Sequence, residues 1–456
     1  MYLGLDMGTS GLRGVLAHDD GVIVAEAEAK LTTENPHSGW SEQDPDSWIT
    51  ACQAVMADLR GQVGDRIRGL KAIGMSGHMH GATVIDAADE VIRPCILWND
   101  TRSATEASAL DNDPMMRRVS GNVVFPGFTA PKLLWMRNHE PEAFERVAKV
   151  LLPKDYLRLW LTGEHIGEMS DAAGTSWLDV GARDWSDDAL AATGLTRAHM
   201  PSLVEGSEVG GHLRQALLDD WGLDGPVIVA GGAADNAAAA CGVGALGEGM
   251  GFVSLGTSGV LLTGRDSFAP APETAVHTFC HAVPGRWYQM GVILAATDSL
   301  NWLSRAVGED AGALAGELSE TAEGPGRLMF LPYLSGERTP HNDSHIRGAF
   351  VGLDIADTRQ DLTRAVMEGV AFALRDNLEA LKATGAAFDT VLAIGGGARS
   401  RFWLETIATL LDLPLSLPKG SELGAALGAL RLAIAADTGA DPNEIMTPPD
   451  VESVIT

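Results

Sequence analysis

Leu5-Asp6-Met7-Gly8-Thr9-Ser10-Gly11-Leu12 stands near the N-terminus, and Ser254-Leu255-Gly256-Thr257-Ser258-Gly259-Val260 stands just past the middle of the chain. Gly-Thr-Ser-Gly recurs, each time with an apolar run before it and another after it. Each copy reads as strand, tight turn, strand. The turn chemistry suits phosphate. Glycine lets the backbone approach closely, successive N–H groups form a concave anion site, and the hydroxyls add donors. One such tetrapeptide is an ordinary hairpin. Two copies, each opening half of the chain, point to two related domains with a nucleotide between them. The copies differ at one position: Asp6 in the first corresponds to Ser254 in the second. Only the first carries a carboxylate at the mouth of the turn, where Mg2+ with its water shell could be held.

Working outward, C-G-V-G-A-L-G-E-G-M-G at 241–251 has the glycine density of a hinge. It divides the chain into domains 1–244 and 245–456. Each half alternates strand-like runs, such as P-V-I-V-A at 226–230 and V-L-A-I at 391–394, with longer helical stretches. One of these is 361–384, whose apolar residues recur every three or four positions. The alternation predicts an α/β class. At 389–412 an apolar strand runs into Gly395-Gly396-Gly397, then Ala398-Arg399-Ser400, then an amphipathic helix. Neither the Walker spacing nor G-x-G-x-x-G is present there, so the pattern suits a nucleotide enzyme of another design.

Bulk properties narrow the class. The 456 residues, 45% of them hydrophobic, exceed one core. No run reaches the roughly 18 apolar residues of a membrane span, and no basic region precedes the N-terminal apolar run. The four cysteines, Cys52, Cys95, Cys241 and Cys280, are widely spaced and read as reduced thiols of a cytoplasmic protein. A formal net charge of -28 disfavours nucleic acid, whose binding rests on Lys and Arg. It fits a salty habitat or a solubility bias equally well. Nucleotide binding survives it where Mg2+, N–H groups and helix termini neutralise phosphate locally.

The chain resembles the FGGY family of carbohydrate kinases, and among its members most closely those acting on D-xylulose. One family signature is Gly127-Phe128-Thr129-Ala130-Pro131-Lys132-Leu133-Leu134-Trp135-Met136-Arg137-Asn138-His139. The other runs from Gly348 through Phe350, Gly352, Leu353, Asp361, Leu362, Ala365, Val366 and Met367 to Glu368. The finer likeness includes W-S-E-Q-D-P at 40–45, G-H-M-H-G-A at 77–82, I-L-W-N-D at 96–100, L-L-P-K-D-Y-L-R-L at 151–159, M-S-D-A-A-G-T at 169–175 and F-L-P-Y-L-S-G-E-R-T-P-H at 330–341. The resemblance implies two actin-like, ribonuclease H-like ATPase domains around a central cleft. It also implies ATP-dependent phosphorylation of D-xylulose in xylose catabolism, with sugar and MgATP as the partners. The stretch Ala230–Asn236 departs from the family's G-G-G-D-N form, being alanine-rich and about one residue longer.

Roles follow residue by residue. Asp235 matches the catalytic Asp and follows the strand P-V-I-V-A and a glycine pair, where an α/β sheet exposes reactive side chains. Its position before N-A-A-A-A equally suits a helix N-cap. The resemblance gives Met79, His80, Trp98, Asn99, Asp235 and Asn236 to the sugar, which needs polar partners and an apolar plane. His78 is adjacent, and the family favours His80. Gly8, Thr9, Ser10, Arg13, Gly256 and Thr257 fall to the phosphates, and Gly396, Gly397 and Arg399 to the adenosine. Asp6 is assigned to Mg2+, through water. Glu337 and Arg338 read as loop residues in an ion pair. No membrane or nucleic-acid partner is expected, and a homodimer stays open. A kinase for ribulose, deoxyxylulose or another polyol is the alternative within the class. An actin-like ATPase without sugar is the alternative outside it.

Overall fold

The computed structural model describes residues 1–318, 324–419 and 424–456. The chain divides into two compact units, each built on a mixed sheet. In the first, β1 (Tyr2–Met7) turns back antiparallel into β2 (Gly11–Ala17), which pairs with β3 (Ile23–Lys30). On its other side β1 runs parallel to β4 (Ala72–Gly77), and β4 runs parallel to β5 (Ile228–Ala230). Tyr2, Leu3, Leu5 and Met7 are all buried. A strand covered on both faces reads as a continuous apolar run. Helix α1 (Pro45–Val63) packs on β2 and β3 through Trp48, Cys52, Val55, Met56 and Leu59, a helical spacing. Asp44 caps it, accepting from the Asp46 N–H, and Pro45 takes the first turn, where no N–H is needed. Beyond β5, helix α2 covers Asp235–Val243.

The second unit repeats the strand order. Strand β6 (Gly249–Leu255) turns back into β7 (Gly259–Arg265), and β7 pairs antiparallel with β8 (Trp287–Ile293). On its other side β6 runs parallel to β9 (Phe388–Ile394), which runs parallel to β10 (Leu415–Pro418). An edge strand, β11 (Val451–Ile455), pairs antiparallel with β10, as Val209–His212 does with β5 in the first unit. Helices α3 (Thr297–Val307), α4 (Arg359–Ala383) and α5 (Arg401–Leu411) belong here. Helix α4 starts two residues before the stretch read from periodicity, because Thr358 and Asp361 form a capping box. Its Val370, Leu374, Leu378 and Leu381 meet Val253 and Leu255 of β6 and Trp403 and Ile407 of α5 in one core.

The chain passes from the first unit to the second at Gly244, which ends α2 in a left-handed conformation with φ 73°. It also returns twice. Phe279–Arg286 and helix α6 (Gly424–Thr438), with the residues on to Thr447, lie in the first unit. The division at 244/245 read from the glycine density is therefore one of several crossings. Helix α6 is rich in Ala and Gly and packs on β1, β4 and α2. All four cysteines are buried free thiols, and burial pushes Cys95 up to about 11 and Cys52 and Cys280 to about 12. Among the described residues no helix is long and apolar enough to cross a membrane.

Candidate active site

Strand register decides where the two key carboxylates fall. In the parallel pairing of β1 with β4, Asp6 lies opposite Ser76. The short strand Ala233–Ala234 pairs with the other side of β4, placing Ala233 opposite the same Ser76. Asp6 and Asp235 thus emerge at the carboxyl ends of strands flanking one central strand, the usual place for ligands in a parallel sheet. Asp6 accepts a hydrogen bond from the Ser76 hydroxyl at 2.9 Å. Burial raises its pKa above the ordinary carboxylate value, against the pull of Ser76 and the Arg13 charge. Arg13 sits opposite Asp6 on β2 and forms an ion pair with Glu26 at 2.6 Å.

Asp235 is the first residue of α2, and the N-cap position belongs to Ala234. The capping role considered for Asp235 is therefore displaced by one residue. Its Oδ1 accepts from the Asn236 N–H at 2.6 Å and from Asn236 Nδ2 at 2.9 Å. Burial nonetheless pushes the carboxyl up to about 6; the Asn236 N–H opposes this and the Asp6 charge adds to it. The longer Ala-rich loop has a defined shape. Gly232 turns at φ 77°, and Ala233–Ala234 rejoins the sheet before the helix begins.

The G-H-M-H-G segment leaves β4 at its carboxyl end. Met79 is buried, and His80 is held in a left-handed conformation with φ 70°. Its ring stacks on Phe128 with centroids 4.4 Å apart, and Nδ1 donates to the Gly174 carbonyl at 2.7 Å. That bond fixes the tautomer of the neutral ring, leaving Nε2 as the acceptor. His78 is buried against the edge of Trp48, and burial, with the Lys132 charge nearby, pushes it down to about 4. It is a neutral core side chain. Trp98 is 42% exposed, and its Nε1 donates to Thr9 Oγ1 at 3.0 Å. The segment assigned to the sugar is thereby tied to the first Gly-Thr-Ser-Gly turn. Asn99 is exposed beside it, and Asp100 anchors the loop from within by accepting from the Ser41 N–H at 2.6 Å and from Arg102.

In the second unit the turn at Gly256 and Thr257 is braced by the start of α3. The Thr257 carbonyl accepts from the Ala296 N–H at 2.9 Å, and the Gly256 carbonyl from the Thr297 N–H at 3.0 Å and its hydroxyl at 2.8 Å. The third turn rests against the same place. Gly395, at φ 88°, lies so near Leu255 that a Cβ would come within 2.9 Å of its carbonyl oxygen. Only glycine suits both constraints. Gly396, Gly397 and Arg399 border a 640 Å³ cavity shared with Thr297, Asn301 and Trp403. Gly396 and Arg399 also border one of 680 Å³ on the side of Leu417 and Glu452. Glu337 accepts from the Leu294 N–H at 2.9 Å and from the Arg338 N–H at 2.8 Å, so backbone as well as charge holds that loop. Burial pushes its carboxyl up to about 7.

Several supporting residues were visible only as motif members. Gln43, fully buried, donates to the Thr9 carbonyl at 2.6 Å and accepts from Trp48 Nε1 at 3.0 Å. Lys154, Asp155, Arg158, Glu168 and Asp171 form a buried cluster. Through it Arg158 donates to the Gly231 carbonyl, and Ser170, bonded to Glu168, accepts from the Ala234 N–H at 3.0 Å. The backbone that delivers Asp235 is thus fastened on both sides. Burial raises Asp171 well above the ordinary carboxylate value. Charge balance agrees, since three carboxylates face two cations.

Two Gly-Thr-Ser-Gly turns on repeated sheets, with a half-buried carboxylate pair beside one of them, suit an ATP-using phosphotransferase class. The FGGY carbohydrate kinase N-terminal domain matches residues 1–242, and the C-terminal domain of that family matches residues 251–436. The chain belongs to the FGGY family of carbohydrate kinases and transfers phosphate from ATP to a carbohydrate. It is 48% identical over 435 residues to a xylulose kinase of Escherichia coli strain K12, covering 95% of this chain and 89% of that one. It is 46% identical to a xylulose kinase of Klebsiella pneumoniae, covering 99% and 93%. A crystal structure of a xyloylose kinase from Brucella ovis shares 56% identity at a TM-score of 0.98, covering 100% of this chain and 94% of that one.

Proposed function

We propose that this chain phosphorylates D-xylulose with ATP, giving D-xylulose 5-phosphate and ADP. The observation that carries the reading is the Asp235 carboxyl at about 6, paired across β4 with Asp6 and next to the His80 loop. A base with that value is ionised at neutral pH yet retains affinity for a proton. Asp235 takes the proton from the sugar hydroxyl as phosphate arrives. Met79, His80, Trp98, Asn99 and Asn236 hold the sugar, with Trp98 giving the flat apolar surface. Gly8, Thr9, Ser10 and Arg13 meet the transferred phosphate. Gly256 and Thr257 cradle the terminal phosphates, and Gly396, Gly397 and Arg399 flank the adenosine.

The donor set fits Mg2+: Asp6 and Asp235 offer hard oxygen ligands, and this ion takes one or two carboxylates plus water and substrate phosphates. Asp6 is the residue that would hold it, through water, and the ion would supply charge neutralisation on the phosphates. The relatives named as xylulose kinases support the choice of sugar, and the buried thiols support a cytoplasmic setting. The deciding experiment is a panel with MgATP and D-xylulose, D-ribulose, deoxyxylulose, D-fructose and glycerol. D-Xylulose should give the highest kcat/KM. A panel led by ribulose or glycerol overturns the substrate, and ATP turnover indifferent to every sugar overturns the kinase reading.

A further inference from the structure

Helix Thr129–His139 is mostly apolar toward the interior, with Leu133, Trp135 and Met136 buried. Lys132 breaks that pattern and is itself fully buried, at 0% exposure. Its ammonium donates to the His80 carbonyl at 2.7 Å and to the Gly127 carbonyl at 2.7 Å. Neither partner is a carboxylate. Burying an ammonium on neutral acceptors is costly, and helix packing alone is met by leucine or methionine. The cost is offset by what the two carbonyls control. His80 has the left-handed backbone that few non-glycine residues adopt. Thr129 adds a hydroxyl to the same carbonyl at 3.2 Å, and Phe128 stacks beneath the ring. Gly127 lies directly against the Trp98 carbonyl. One side chain therefore joins the loops that carry His80 and Trp98. Burial pushes Lys132 down to about 7, with Cys95 and Asp100 opposing. Loss of a proton leaves two N–H donors, enough for both carbonyls, so the clamp persists in either state.

We propose that Lys132 is a positioning residue for the sugar, acting through the His80 carbonyl to hold the imidazole at its binding angle. This rests on the sugar site described under the proposed function, and the wild-type panel tests that site separately. Whichever sugar the wild type turns over best is the substrate for the variants. Lys132→Met keeps the volume and removes both bonds. It should lower kcat/KM for the sugar by about 10²-fold, the usual effect of a displacement of about 1 Å. The KM for ATP, and any ATP hydrolysis measured without sugar, should stay within about twofold of wild type. In a His80→Gly background, which removes both the ring and the need for the held conformation, Lys132→Met should add less than about threefold. Thr129→Val, which deletes one hydroxyl, should give the same split at smaller amplitude and decides the matter if Lys132→Met does not fold. Equal losses for sugar and ATP, full additivity with His80→Gly, or a Thr129→Val variant with unchanged sugar KM overturns the proposal.

Discussion

Asp235 costs the folded protein stability in return for its basicity. Its carboxyl titrates near 6 in the fold, against 3.8 for an ordinary aspartate. The folded form therefore binds the proton more tightly than the unfolded chain does. Stability falls as pH rises from about 4 to about 6, and the full loss stays in place above 6. At about 1.4 kcal/mol per pH unit the loss is about 3 kcal/mol at most. Asp235→Asn should accordingly melt at or above the wild-type temperature at pH 7.5, with the difference gone below pH 4. Its kcat should drop by about 10²–10⁴. In the wild type, kcat/KM should decline on the acid side with a midpoint near 6. A variant that melts lower at pH 7.5, or retains near-native kcat, contradicts the assignment. Asp6→Asn separates the two carboxylates. Asparagine can still accept from Ser76, so the local structure holds while the proposed metal ligand weakens. Its defect should ease as Mg2+ is raised, whereas excess Mg2+ should do nothing for Asp235→Asn. The reverse pattern exchanges the roles.

At the scale of elements, the strand–turn–strand units at Gly8–Ser10 and Gly256–Ser258 were legible because every signal lies within fifteen residues. The apolar runs, the glycines and the hydroxyls all act locally, and the same holds for the turn at Gly395–Gly397. Helix α6 was not legible as part of the first unit. Its reason lies in Gly4 and Gly74, hundreds of residues away, whose missing side chains make room for it. Gln43 and Lys132 could be read only as motif members, since their partners are backbone carbonyls whose placement depends on the fold. His80 was chosen over His78 by resemblance, and the structure adds that His78 is buried against Trp48. Two glycines test the packing account. A Cβ on Gly74 would stand 1.8 Å from the Ala429 carbonyl oxygen, so Gly74→Ala must displace α6. It should cost about 1–3 kcal/mol or more. Gly61, in the last turn of α1, has nothing within 4 Å of such a Cβ. Gly61→Ala should stabilise by about 0.5–1 kcal/mol. Thermal melts of the pair must move in opposite directions. A Gly74→Ala protein as stable as wild type removes the case for close backbone contact between α6 and β4.

At the scale of the whole molecule, 61 acidic residues face 33 basic ones, for a net charge of -28. The two substrates respond differently to that field: MgATP is an anion, and a ketopentose is neutral. Capture of ATP is therefore opposed at long range by the protein's charge and, on the proposed site assignment, favoured at short range by turn N–H groups, Arg13 and Arg399. Salt separates the two contributions, because screening removes distant interactions first. Between 10 and 100 mM NaCl the Debye length falls from about 30 Å to about 10 Å. That change suppresses repulsion across the molecular surface and leaves contacts of about 3 Å almost intact. With Mg2+ in excess and xylulose saturating, kcat/KM for MgATP should rise severalfold over that range. With MgATP saturating, kcat/KM for xylulose should change by less than about 1.5-fold, since a neutral ligand feels no net field. Parallel changes in both would mean that salt acts on the fold. A fall for MgATP alone would mean that the local cationic groups, and not the overall charge, govern its approach.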